Sequence, residues 1–277
     1  MSDPTQSLEI HTDLAQQILV GFLHTEVTRA GFERLVIGLS GGVDSALACF
    51  LAAKALGPDN VLAVRMPYTT STPESYEHAG LVLAATGVRE LTVPIAPMAD
   101  PLFELVPPSD LVRRGNILAR MRMIVLFDQS AAFHGLVVGT GNKTELLLGY
   151  TTLFGDSACA LNPLGDLYKT QVWQMARAIG IPEVIVAKPP SADLWAGQTD
   201  EGELGFTYAE VDRLLYLLVD ERYSPQACVQ AGFPRQFVER VVERIRRSQF
   251  KRVPPPIAKL SDRTVGYDFL YLRDWGT

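Results

Sequence analysis

Cysteine and histidine are scarce in these 277 residues, and what is scarce limits the chemistry first. Cys49, Cys159 and Cys228 are an odd, scattered set, which argues against a disulfide scaffold and for thiols in a reducing compartment. His11, His24, His78 and His134 form no HExxH, the cysteines form no CxxC, and no transition-metal site is expected. Basic charge is also in deficit. Lys and Arg number 25 against 31 Asp and Glu, a net charge of -6, so no general basic field invites a nucleic-acid backbone. No apolar run approaches the length of about 18 residues that suggests a membrane span, and the polar, acidic N-terminus lacks a basic segment leading into an apolar one. The chain therefore reads as soluble and cytoplasmic, without membrane partners. No repeat or low-complexity linker divides it, and one domain over residues 1–277 is expected.

What the sequence does contain is an alternation of apolar runs with helix-like stretches. Residues 35–39 read as a buried strand, 40–45 as a polar glycine loop, and 46–56 as a helix stopped by Gly57-Pro58. Strands at 61–66 and 90–95 flank a helix at 74–86. A long helix over 109–132 precedes a fourth strand at 136–140. The segment 149–166, broken by Gly149, Gly155 and Gly165, is predicted to be a mobile functional loop. Helices follow at 168–179, 207–220 and 236–248. The pattern is that of an α/β protein, a parallel sheet with helices on both faces and helical additions at its N- and C-terminal ends.

Two adjacent glycines between a strand and a helix let backbone N–H groups approach an anion, and the helix dipole adds to the attraction. Ser40 and Ser45 can contribute hydroxyl donors. The loop is neither GxxxxGK[ST] nor GxGxxG. The same residues would also make an ordinary turn with Ser40 as N-cap and Asp44 in the first helical turn. Asp44 suits Mg²⁺, which arrives with ATP and takes carboxylate and phosphate oxygens. Glu145, just past the fourth strand, could meet it, because ligands of open parallel sheets gather at the carboxyl ends of strands. A solvated helix-start glutamate is the alternative there.

The SGGVDS loop resembles the pyrophosphate-binding loop of the ATP pyrophosphatases. GLSGGVDS at 38–45, NILARMRM at 116–123, GTGNKTELLLGYTTLFGD at 139–156, PLGDLYKTQV at 163–172, PPSADLWAGQTDEGELG at 189–205 and FKRVPPP at 250–256 together resemble the NAD synthetases. The resemblance implies a Rossmann-like, adenine nucleotide alpha hydrolase-like fold. It also implies ATP-dependent amidation of deamido-NAD with ammonia, through an adenylate, releasing AMP and pyrophosphate. It places ATP on Gly38, Leu39, Ser40, Gly41, Gly42, Val43, Asp44, Ser45, Thr140, Lys169 and Ser191, and Mg²⁺ on Asp44 and Glu145. Arg120 and Lys251 match positions that contact the dinucleotide. Arg122, two residues from Arg120, points about 200° away around a helix of 3.6 residues per turn, and Arg120 is the one favoured. Lys169 would offset phosphate charge. Asp156 would hold or deprotonate ammonium, or simply shape a turn after Gly155. A homodimer whose interface uses the N-terminal and long central helices is also implied.

The sequence departs from the pattern of ammonia-dependent members at Leu153, Ala160 and Phe250, where Lys, Asp and His are common. In these features it is closer to the synthetase portion of glutamine-dependent enzymes, yet no amidase domain is recognised. Ammonia comes either free or from a separate amidase. Another adenylating enzyme of the superfamily, or a non-catalytic nucleotide binder, stays open at this stage.

Overall fold

The computed structural model describes residues 8–108, 110–191, 195 and 197–269. The chain opens with α1 (Thr12–Arg29), β1 (Leu35–Gly38), α2 (Val43–Leu56), β2 (Val61–Arg65), α3 (Pro73–Thr86) and β3 (Arg89–Thr92). Next come α4 (Ala96–Leu105), α5 (Leu111–Phe133), β4 (Leu136–Val138), α6 (Lys143–Leu148) and α7 (Lys169–Ala178). After these come α8 (Glu183–Val186), α9 (Asp200–Leu204), α10 (Tyr208–Leu215), α11 (Pro225–Gln230) and α12 (Arg235–Arg247).

The four strands are all parallel, in the order β3-β2-β1-β4. Successive side chains of a strand face opposite ways, and both faces here are apolar. Leu35, Ile37, Val61 and Ala63 pack with α1, α2 and α7, while Val36, Leu62 and Val64 pack with α4 and α5. The expected sheet with helices on both faces is what forms. β1 is central, with β2 and β3 wound to one side and β4 to the other. The winding reverses between β1 and β4, and a crevice opens there beyond the carboxyl ends of the strands.

Three local expectations change. β3 ends at Thr92 rather than residue 95: Val93 and Ile95 N–H still donate to Arg65 O and Pro67 O at 2.8 and 3.0 Å, but Pro67, just past β2, has no N–H to give back. The N-terminal helix is part of the main core, with Leu23 and Val27 fully buried. The helix expected over 207–220 narrows to α10 and continues as a wider π-helical turn at Tyr216–Asp220. That turn carries Asp220 to Lys143 Nζ at 2.9 Å and to the Tyr168 hydroxyl. Of the helix expected from residue 109, that first position lies outside the described residues.

The C-terminal helices build a second core around Tyr208, Val211, Leu214, Leu215, Val238 and Val241, joined by Leu148 of α6 and Tyr168. All three cysteines are free thiols, as expected.

Candidate active site

The turn after β1 is shaped by a close approach. Gly41 has φ +82°, and a Cβ there would lie 2.1 Å from the Ser75 carbonyl oxygen on α3. Only glycine meets both demands. Ser40 ties the loop to the helix: its Oγ accepts from Gly42 N at 3.3 Å and lies 3.0 Å from Ser45 Oγ, and its N–H donates to Ser45 Oγ at 3.2 Å. The N-cap of α2 is Gly42, two residues later than the Ser40 of the ordinary-turn reading. Glycine brings no side chain to the first N–H groups of this 14-residue helix, so they remain free to meet an anion.

Asp44 leaves the first turn of α2 and meets residues from the other side of the crevice. Its Oδ1 accepts from Asn142 Nδ2 at 2.9 Å, and its Oδ2 is in a short contact with Lys169 Nζ. Glu145 arrives through a capping box: Glu145 N donates to Asn142 Oδ1 at 3.0 Å, and Asn142 N to Glu145 Oε2 at 3.2 Å. The other oxygen, Oε1, is 3.7 Å from Lys169 Nζ. Lys169, first residue of α7, is 2% exposed. Burial alone would lower its pKa, but Asp44 and Glu145 outweigh that and hold it above the usual lysine value. Glu145 is pushed up to about 8, by burial first and by the Asp44 charge second, with Lys169 pulling the other way. One ammonium thus serves two carboxylates, and Glu145 holds its proton more tightly than a free carboxyl does.

These groups line a cleft of about 810 Å³. Its walls include the predicted loop residues Gly38, Leu39, Ser40, Gly42, Val43, Asp44 and Ser45, with Gly41 tucked behind them against α3. Thr140, Glu145, Asp156, Lys169, Ser191 and Lys251 line it too. Of the segment around Ser191, residues 192–194 and 196 lie outside the described residues. Asp156 opens onto the cleft and accepts from Thr152 N at 2.8 Å. The cleft walls strip water from its carboxyl and raise its pKa, against the pull of Thr152 and Lys251. Lys251 donates to the carbonyls of Gly149 and Thr151 at 2.7 and 2.6 Å, so it pins the very loop it borders. The segment 149–166 is irregular as its composition implied, yet it is tied down, also by Thr152 Oγ1 to Asn116 Oδ1 at 2.7 Å.

Arg120 is not brought into this cleft. It is exposed on α5 and donates to Leu153 O at 3.0 and 3.3 Å, whereas Arg122 lines the cleft and donates to Met66 O at 3.2 Å. The two arginines do point to different sides of α5, and it is Arg122, not the favoured Arg120, that lines the cleft of this chain. Arg252, beside Lys251, clamps the carbonyls of Leu146, Leu147 and Ile245 at 2.9, 2.8 and 2.6 Å. Of the departing positions, Ala160 and Phe250 are exposed and Leu153 is half-buried.

Sequence reasoning missed several cleft residues. Arg65, 8% exposed at the end of β2, stacks 4.1 Å over the Tyr76 ring and donates to Glu90 at 2.9 Å. Its Nε is buried without a hydrogen-bond partner. A charged residue closing the apolar run VLAVR was the available signal. Lys188 reaches Ser75 Oγ at 2.9 Å beside the glycine loop. Tyr150 and Tyr208 both donate to Asp200, at 3.2 and 3.1 Å. Tyr208 comes from the helical part, where no motif announced it, whereas Tyr150 and Asp200 stand inside the motifs at 139–156 and 189–205 without having been singled out.

A parallel sheet whose switch point carries an open helix start facing a lysine-bridged carboxylate pair defines the adenine nucleotide alpha hydrolase-like class of α/β proteins. Within it, the NAD synthase family model matches residues 15–255, and the chain belongs to that family. It is 58% identical to the NH(3)-dependent NAD(+) synthetase of Trichlorobacter lovleyi over 97% of this chain and 98% of that one. Among solved structures, the NMN synthetase from Francisella tularensis superposes with a TM-score of 0.81 at 32% identity, covering 91% of this chain and all of that one. The NH3-dependent NAD synthetase from Campylobacter jejuni gives a TM-score of 0.77 at 30% identity, over 90% of this chain and all of its own.

Proposed function

We propose that this chain is an ammonia-dependent NAD synthetase, using ATP to activate the nicotinate carboxylate of deamido-NAD and transferring the acyl group to ammonia. The reading is carried by Asp44, Glu145 and Lys169 meeting at the open start of α2, in a chain matched almost end to end by an NH(3)-dependent NAD(+) synthetase. That likeness favours ammonia over glutamine as nitrogen source and makes a separate amidase unnecessary.

A free carboxylate is a poor acyl donor. Its oxygen attacks the α-phosphorus of ATP, the bond to the bridging oxygen breaks, and pyrophosphate leaves. Ammonia then attacks the acyl carbon and AMP departs. The α2 N–H groups with Ser40 and Ser45 hold phosphate oxygens, and Lys169 offsets the charge that builds on them. Thr140 and Ser191 border the nucleotide, and Arg65 adds a buried donor with no partner of its own. Asp156, with its raised pKa, takes the proton from incoming ammonium.

Asp44 and Glu145 suit Mg²⁺: both are oxygen donors of low exposure, and the Lys169 ammonium already shows that the spot between them accepts a cation. Among the described residues no cluster of three or more metal-binding side chains occurs, so phosphate oxygens and water would complete the shell. Bound there, Mg²⁺ would supply charge neutralisation to the triphosphate.

Arg120 shares an exposed face of α5 with Ile124 and Phe127, which are 51% and 42% exposed. This supports a homodimer in which that face meets a second copy and Arg120 serves a dinucleotide site drawn from both. α1 covers the opposite face of the sheet. Its own exposed stripe, Leu14, Ile18 and Phe22, therefore stands apart from the α5 face. Among the described residues no helix is long and apolar enough to cross a membrane, and free thiols are in keeping with the cytoplasm.

Exchange of labelled pyrophosphate into ATP tests the reading. Exchange should depend on deamido-NAD, and NAD should form with ammonium but not with glutamine. Exchange driven only by another acid, a mononucleotide acid included, would reassign the acceptor. No exchange with any acid would leave a nucleotide binder.

A further inference from the structure

The helix that begins with Lys169 takes one cap from its own side chains, Gln171 Oε1 accepting from Tyr168 N at 2.9 Å, and leaves the Lys169 and Thr170 N–H groups to be met from elsewhere. The first N–H groups of a helix need acceptors from outside it, and for α7 two other segments provide them. Lys169 N donates to Thr144 Oγ1 at 3.0 Å, and Thr170 N donates to Asp212 Oδ2 at 2.8 Å. The Thr144 hydroxyl in turn donates to Asp212 Oδ1 at 2.6 Å, and the Thr170 hydroxyl to Oδ2 at 2.8 Å. One carboxylate from α10 therefore receives three hydrogen bonds, with both oxygens used. Asp212 is 0% exposed. Burying a carboxylate is costly, and a well-packed apolar side chain is often as stabilising as a buried charged group. Its negative charge is favourable at a helix N-terminus.

The same helix also reaches the other end of the lysine. Tyr208 lies one turn before Asp212, on the same face of α10. Its ring centroid is 5.3 Å from Lys169 Nζ, and its hydroxyl is tied to Asp200 at 3.1 Å. The α10 face thus bounds Lys169 at the ammonium through Tyr208 and at the backbone through Asp212.

We propose that Asp212 is a positioning residue for Lys169: by capping α7 directly and through Thr144, it fixes where the ammonium stands over Asp44 and Glu145. The proposal rests on the reading of Lys169 as the cation that faces the ATP phosphates. Asparagine at 212 keeps one acceptor oxygen where two are needed, so the cap is half lost with little change in volume.

The test is a double-mutant cycle on purified full-length protein, with kcat and KM measured at saturating ammonium. Asp212→Asn is expected to lower kcat about tenfold while KM for ATP stays within about twofold. In a Lys169→Ala background, the same substitution should change the residual turnover less than about twofold, because the group it acts through is gone. Thr144→Val gives a second route that leaves Asp212 in place: it should lower kcat, and Thr144→Ser should recover most of the loss. Equal losses from Asp212→Asn in both backgrounds would overturn the proposal and leave Asp212 a packing residue. Undiminished kcat in Asp212→Asn would overturn it as well. Undiminished turnover in Lys169→Ala alone would overturn the reading of Lys169 itself, and the proposal with it.

Discussion

Two strand-to-helix turns stand side by side at the carboxyl edge of the sheet, one after β1 and one after β4, and they treat the start of their helices in opposite ways. After β1 the N-cap is Gly42, with no side chain to offer, and the helix it opens is long. After β4 the N-cap is Asn142, locked to Glu145 by reciprocal hydrogen bonds, and the helix has only 6 residues. The first turn leaves its donors to a ligand. The second satisfies them internally and so fixes a carboxylate: one Glu145 oxygen completes the cap while the other faces Lys169. An open helix start thus supplies an anion site, and a closed one supplies an orientation. The Asn142 amide, 2.9 Å from Asp44 Oδ1, joins the two.

The comparison is broken most severely by removing the charges that the turns present. Asp44→Asn or Glu145→Gln should each lower turnover about a thousandfold, by loosening the hold on the proposed Mg²⁺ that neutralises the phosphates. Steady-state NAD formation measures this, and activity within tenfold of the parent would refute the carboxylate assignments. The next largest effect comes from glycine. In Gly41→Ala a Cβ would press on Ser75 O at 2.1 Å in a left-handed backbone, itself a strain of about 1–2 kcal/mol. The loop must move, and kcat/KM for ATP should fall about a hundredfold, each tenfold being about 1.4 kcal/mol. Gly141 in the second turn has a negative or extended φ, and a Cβ there would find nothing closer than 3.9 Å. Gly141→Ala should therefore change stability by no more than about 0.5 kcal/mol. Similar losses at the two glycines would mean that the turns are not different in kind.

How much of this could be read in advance followed the same division. The loop after β1 is local: strand, glycines and helix are contiguous, so Ser40 to Ser45 announced both shape and chemistry. The carboxyl-edge rule then placed Glu145 opposite Asp44, and the structure brings them to one lysine. Lys169 itself was legible through family likeness, since nothing in Tyr168-Lys169-Thr170 states that a buried cation is required. Asp212 and Tyr208 were invisible, because a helix whose polar residues point into a second core looks like any amphipathic helix. Arg120 shows the limit from the other side. Helical geometry separates it from Arg122, but not which of the two faces the cleft of its own chain.

The finest test separates the two tasks given to Asn142. Serine can still accept from Glu145 N and keep the cap, but it is too short to reach Asp44, whereas alanine loses both contacts. Loss of an N-cap costs about 1 kcal/mol, which for a chain of this size is a fall in Tm of about 2 °C. Asn142→Ala should show that fall by thermal unfolding, and Asn142→Ser should unfold near the parent. If the amide also holds Asp44 in place, both variants should lose turnover by the same factor, about tenfold or more, from about 1.5–3 kcal/mol for one hydrogen bond to a charged group. Serine restoring activity along with stability would show that the cap alone matters and that the two turns work independently. Equal turnover losses with unequal melting points would show that the closed turn orients the carboxylate presented by the open one.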